Sequence, residues 1–98
     1  MDYQPSVVQA VPGPEKTVYA YFSDGSVRLF DAAPLIAKGG VFSALEDEGV
    51  FAERLTVLNY TVAWDLAGNR DPHSCVDVDP YVVYRESPVV EDPLAHVA

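Results

Sequence analysis

The run from Tyr19 to Asp31, Tyr-Ala-Tyr-Phe-Ser-Asp-Gly-Ser-Val-Arg-Leu-Phe-Asp, constrains this chain more than any other stretch. It predicts two strands joined by a tight turn at Asp24-Gly25. Asp-Gly favours a two-residue type I′ loop, because both central residues need φ > 0 and glycine adopts that freely. In that register Phe22 lies opposite Val27, Tyr21 opposite Arg28, Ala20 opposite Leu29 and Tyr19 opposite Phe30. Side chains alternate with period two, so Val18, Ala20, Phe22, Val27 and Leu29 form a core face. The opposite face carries Thr17, Tyr19, Tyr21, Arg28 and Phe30. Four aromatic and cationic side chains, Tyr19, Tyr21, Arg28 and Phe30, therefore make a candidate interaction surface. The plainer reading is that these cross-strand pairs only stabilise the sheet, at roughly 0.2–1 kcal/mol each.

The rest of the chain supplies short elements around this hairpin. Ser6–Val11 is β-prone and ends at Pro12-Gly-Pro14. Asp31 offers a helix cap, Pro34 fits a first turn, and Gly39-Gly40 stops the helix that Leu35 and Ile36 anchor. Phe42, Leu45 and Phe51 are core inserts from two further turns, the second opened by Glu46-Asp47-Glu48. Arg54–Val57 and Thr61–Trp64 form a second hairpin about Leu58-Asn59-Tyr60. Leu66–Ser74 is a polar loop, and Val76 and Val78 mark a brief extended segment. Asp79-Pro80 starts a last helix ending near Glu86. The fold class is α+β: a small antiparallel sheet of about five strands and two hairpins, with two or three short helices packed on it. Residues 1–86 form one domain, and residues 87–98, with two prolines and no clear period, read as a flexible C-terminal tail.

Composition excludes several functions. A hydrophobic share of 49% supports a core without any covalent staple, and the single Cys75 cannot close an internal disulfide. No stretch approaches the ~20 apolar residues of a membrane helix. Met1–Pro5 lacks the basic and apolar regions of a secretory signal. A cytoplasmic location is the expectation. The formal charge of −9, with six scattered basic residues, opposes nucleic-acid binding, which draws its affinity from Lys and Arg on phosphates. It suits a basic protein partner, although solubility alone accounts for it.

One constellation carries potential chemistry. In an extended Asp71–Asp79 segment, Asp71, His73, Cys75, Asp77 and Asp79 point the same way. Together with Trp64 and Asp65 this makes a candidate ligand- or metal-sensing region centred on Trp64, Asp65, His73, Cys75 and Asp77. Alternate residues on one strand stand about 6–7 Å apart, too far to close a tetrahedral shell unaided. His96 is the other histidine. Helix capping by Asp79, turn formation by Asp71, and packing by Trp64 and Cys75 account for the same residues without a ligand. No nucleophile elbow or phosphate loop is present. The expectation is a non-enzyme with no cofactor and no catalytic residues.

Taken as an ensemble, these residues resemble the bacterial family known as domain of unknown function 2442. The resemblance rests on Phe22-Ser-Asp-Gly25, Val27-Arg-Leu-Phe-Asp31, Gly40-Val-Phe42 with Leu45, the Phe51 helix, Val62-Ala-Trp64, and Asp77-Val-Asp79-Pro80 with Tyr84. It spans Pro5 to Glu86. It implies a small α+β fold and no established activity. Some relatives carry an added helix-turn-helix; others look like half of a two-gene pair, in the manner of toxin–antitoxin modules. The expected function is thus a non-catalytic protein-interaction module, the acidic antitoxin-like member of such a pair. Its partner is a small basic protein encoded nearby, a homodimer being the other arrangement.

Overall fold

In the computed structural model, which describes residues 4–94, the first hairpin forms where expected but closes differently. Phe22 N–H donates to the Ser26 carbonyl (2.9 Å), and Gly25 N–H donates to the Phe22 carbonyl (3.0 Å). The loop is therefore Ser23-Asp24-Gly25, three residues long, and within it Gly25 alone takes a left-handed φ, 91°. The Asp24 carboxylate accepts from both the N–H (2.8 Å) and the hydroxyl (2.7 Å) of Ser26, which favours this wider closure over a type I′ turn. A loop one residue longer shifts the register by one. Strands β2 (Thr17–Phe22) and β3 (Val27–Asp31) pair Tyr21 with Val27, Ala20 with Arg28, Tyr19 with Leu29 and Val18 with Phe30. The expected pairing of Phe22 with Val27 is corrected, and each β3 side chain lies on the face opposite to the one expected.

Strand β1 (Val7–Pro12) completes a first antiparallel sheet in the order β1-β2-β3, with a bulge where Val8 has no partner between Val7 and Gln9. A second sheet holds β4 (Leu55–Leu58), β5 (Thr61–Trp64) and β6 (Val76–Asp77) in that order. The strands thus divide into two sheets of three where the sequence pointed to one of about five; the small α+β class stands. The two-residue type I′ geometry occurs at the second hairpin. There Asn59 and Tyr60 take φ of 55° and 60°, and Leu58 pairs directly with Thr61. Val7 N–H donates to the Tyr60 carbonyl (2.8 Å) and ties the sheets together.

Helices α1 (Ala33–Ala37), α2 (Glu48–Arg54) and α3 (Pro80–Glu86) are five to seven residues long, too short to persist unaided. Local caps and buried anchors hold them. Asp47 and Asp79, the N-caps of α2 and α3, accept from the N–H groups of Val50 and Tyr81. The cap expected of Asp31 is corrected: Ala32 takes the α1 N-cap, and Asp31, one residue earlier, accepts from Ala33 N–H in an Asx-turn. Ile36, Phe51 and Val83 enter the core beside Val18, Ala20, Phe22, Phe30, Leu45, Val62 and Trp64. Leu45 comes from a 3₁₀ segment, Gly40–Glu46.

The segment after α3 is not free at its start. Leu29 N–H donates to the Pro88 carbonyl (3.0 Å) and Val90 N–H to the Val27 carbonyl (2.9 Å), so residues 88–90 line the outer edge of β3. Proline at 88 lacks a donor, but this edge takes its carbonyl. Residues 88–90 therefore pair along the sheet edge, on the C-terminal side of the boundary expected at Glu86. The Met1–Tyr3 part of the stretch read for a signal, and His96, lie outside the described residues. Among the described residues no helix is long and apolar enough to cross a membrane.

Candidate functional site

The register shift breaks up the expected aromatic surface. Arg28 and Phe30 lie on the face of Val18, Ala20 and Phe22, whereas Tyr19 and Tyr21 lie on the other with Val27 and Leu29. Arg28 is spent within the fold. Its Nη1 donates to the carbonyls of Tyr84 (2.8 Å) and Ser87 (3.5 Å), Nε donates to the Ser26 hydroxyl (3.3 Å), and the guanidinium lies 3.8 Å from the centre of the Tyr84 ring. A cation at the carboxyl end of α3 also meets the negative end of the helix dipole. Tyr84 in turn sets its ring edge-on to Phe22 at 5.0 Å and donates its hydroxyl to Asp24 (2.8 Å). That bond raises the Tyr84 phenol above its ordinary pKa, with burial adding to it. The Ser26 bonds, first its hydroxyl and then its N–H, lower the Asp24 carboxyl.

On the other face, Tyr21 donates its hydroxyl to Asp92 at 2.5 Å. Burial, then this bond, push the phenol up to about 12. Tyr19 is half-buried against Gly13, where an added Cβ would stand 2.4 Å from Thr17 Oγ1 and 3.1 Å from the Tyr19 ring. Helix α3 and the C-terminal segment thus cover most of what the sequence offered as an open surface.

The second constellation disperses as well. Trp64 is fully buried, its indole N–H donates to the Phe51 carbonyl (3.1 Å), and its ring tilts against Phe51 at 5.4 Å. Asp65 is buried, and its carboxylate accepts from the N–H groups of Gly68 (3.0 Å), Asn69 (3.3 Å) and Arg70 (2.7 Å), organising the polar loop. The extended run expected over Asp71–Asp79 is confined to Val76–Asp77. Asp71 accepts from His73 N–H (2.9 Å), an Asx-turn that bends the chain and leaves His73 exposed. Cys75 is half-buried, and its thiol is raised by burial and then by the Asp77 charge, which disfavours the thiolate that a nucleophile or metal ligand requires. Asn59 donates to Asp77 (3.2 Å) and to the Pro72 carbonyl (3.2 Å), fixing this loop to the second hairpin. Among the described residues no three of His, Cys, Asp and Glu gather in a geometry for a metal ion.

The open feature lies elsewhere. A groove of about 430 Å³ runs between α1 with the Gly40–Glu46 segment on one side and β6 with α3 on the other. Phe30 forms its floor, with Leu35 and Phe42 on one wall and Val82 on the other. Lys38, Asp77, Asp79 and Glu86 are exposed around it. The sequence presents Leu35 and Phe42 as core anchors alongside Ile36, Leu45 and Phe51. Ile36, Leu45 and Phe51 are buried; Leu35 and Phe42 stay partly open. One signal was available: adjacent Leu35 and Ile36 stand about 100° apart on a helix. When Ile36 points into the core, Leu35 falls at the edge of the buried stripe, packed against the core with part of its surface open.

No curated protein and no solved structure matches this chain. A family model described as protein of unknown function (DUF2442) matches residues 7–89, which contain both sheets and all three helices, and the chain belongs to that family.

Proposed function

We propose that this protein is a non-catalytic protein-interaction module, the acidic member of a pair whose other half is a basic protein encoded nearby. The observation that carries this reading is how charge is deployed. Fifteen acidic residues face six basic ones, and Lys16, Arg28 and Arg70 donate hydrogen bonds within the fold. Lys16 donates to the Glu46 carbonyl (2.7 Å) and approaches Glu48 (3.5 Å). Arg28 holds the end of α3, and Arg70 donates to Thr56 Oγ1 (2.9 Å) and the Val57 carbonyl (3.3 Å). Bonds to neutral carbonyls and a hydroxyl leave those positive charges in place, and with all six counted the chain still carries a net charge of −9. That charge favours a cationic partner and disfavours both nucleic acid and a second like-charged copy. The ligand-sensing alternative draws less support, because Trp64 and Asp65 are buried and occupied.

Co-expression with the product of the adjacent gene, followed by size-exclusion chromatography at low and high salt, tests the proposal. The expected result is co-elution that weakens as salt rises. Separate elution at low salt contradicts it.

A further inference from the structure

We infer that the groove over Phe30 docks a partner segment presenting an aliphatic or aromatic side chain beside Lys or Arg. This rests on the protein-binding reading above and names where the partner sits and what it brings. Leu35 and Phe42 on one wall and Val82 on the other each keep apolar surface open to solvent, above a phenylalanine ring that is itself only 5% exposed. A volume of about 430 Å³ is within the range of pockets that bury a ligand's apolar groups, and it suits a few side chains of a peptide.

Charge selects the occupant. Asp77 and Glu86 are exposed carboxylates at the groove, and Asp79 adds a third while capping α3; Lys38 is the cation opposite them. A second copy would bring the same acidic rim to the contact, from a chain whose net charge is also −9. A segment with Lys or Arg flanking an apolar side chain satisfies rim and floor together.

The probe is a short peptide of alternating Leu and Lys, titrated into the isotopically labelled full chain and followed by NMR. Two control peptides replace Leu by Ser, keeping the charge, or Lys by Glu, keeping the apolar side chains. The Leu–Lys peptide should bind about tenfold or more tighter than either control and shift the resonances of Leu35, Phe42 and Val82 most. Val82→Glu should weaken it by a similar factor, with buried-Trp64 fluorescence reporting an intact fold. The paired change Asp77→Asn with Glu86→Gln, on exposed side chains, should weaken binding and flatten its salt dependence. Equal binding of the Ser control, or shifts centred on Tyr19 and Tyr21, overturns the inference. The same variants against the adjacent gene's product separate the two claims. A complex indifferent to Val82→Glu overturns the groove and spares the pairing, whereas no complex with the unsubstituted chain overturns the pairing.

Discussion

Trp64 illustrates what a single residue contributes here. Its indole fills the centre of the core and its N–H satisfies the Phe51 carbonyl, so Trp64→Ala leaves both a cavity and an unpaired acceptor. The expected loss is about 3–5 kcal/mol, read by urea unfolding followed by far-ultraviolet circular dichroism. Tyr21 gives a pH-dependent counterpart. Its phenol is pushed up to about 12 by burial and the Asp92 bond. An acid that holds its proton more firmly folded than unfolded adds stability that is complete below about pH 10 and fades as pH climbs towards 12. Asp92→Asn should bring the Tyr21 titration down towards 10 without erasing the burial effect; absorbance titration against Tyr21→Phe checks it. Residues whose partners are two or three positions away were the most legible: Asp79 caps α3 as its place before Pro80 implies. Asp31, by contrast, sits one residue ahead of the α1 N-cap, Ala32, and the capping of α2 by Asp47 was visible in the sequence only as negative charge at a helix start. Arg28 was not legible, because its acceptors, the Tyr84 and Ser87 carbonyls, come from a helix end more than fifty residues later.

At the scale of elements, the two hairpins exchange the turn types their sequences favour. Asp24-Gly25 carries the stronger type I′ signal yet sits in a three-residue loop, since Asp24 spends its carboxylate on Ser26. The type I′ turn falls to Asn59-Tyr60, where Tyr60 holds a left-handed φ of 60° and the residue is 76% exposed. Tyr60→Gly removes that strain and little packing, and should stabilise the protein by about 0.5–1 kcal/mol in thermal or urea unfolding. Element positions were readable from Gly, Pro and Asp punctuation; register was not, because a side-chain bond within the loop decided it. The segment after α3 was hidden for another reason. Its prolines mark it as irregular, and what orders it is the open edge of β3, which no local pattern announces. Truncation after Glu86 should cost roughly 2–3 kcal/mol, from two backbone hydrogen bonds and the Tyr21–Asp92 bond, and should expose the Leu29 amide to rapid hydrogen exchange.

For the molecule as a whole, one register governs which surface is closed and which is open. With Ala20 opposite Arg28, the guanidinium turns towards α3 and clamps that helix by its last carbonyls and by Tyr84. Phe30 turns the same way and becomes the floor beneath Leu35, Phe42 and Val82. Tyr21 is left on the other face, where Asp92 takes it. The α+β class, the short helices and most strand positions followed from hydrophobic period and turn chemistry. The groove did not, because it arises where α1 and α3, remote in sequence, stop short of each other. Cross-strand NMR contacts within the first hairpin test this directly. The register described here makes Tyr21–Val27 and Tyr19–Leu29 the close, non-hydrogen-bonded pairs, so strong Hα–Hα contacts are expected within each. A strong Hα–Hα contact between Phe22 and Val27 instead would return Arg28 to the side of Tyr21, remove the floor of the groove and contradict the account.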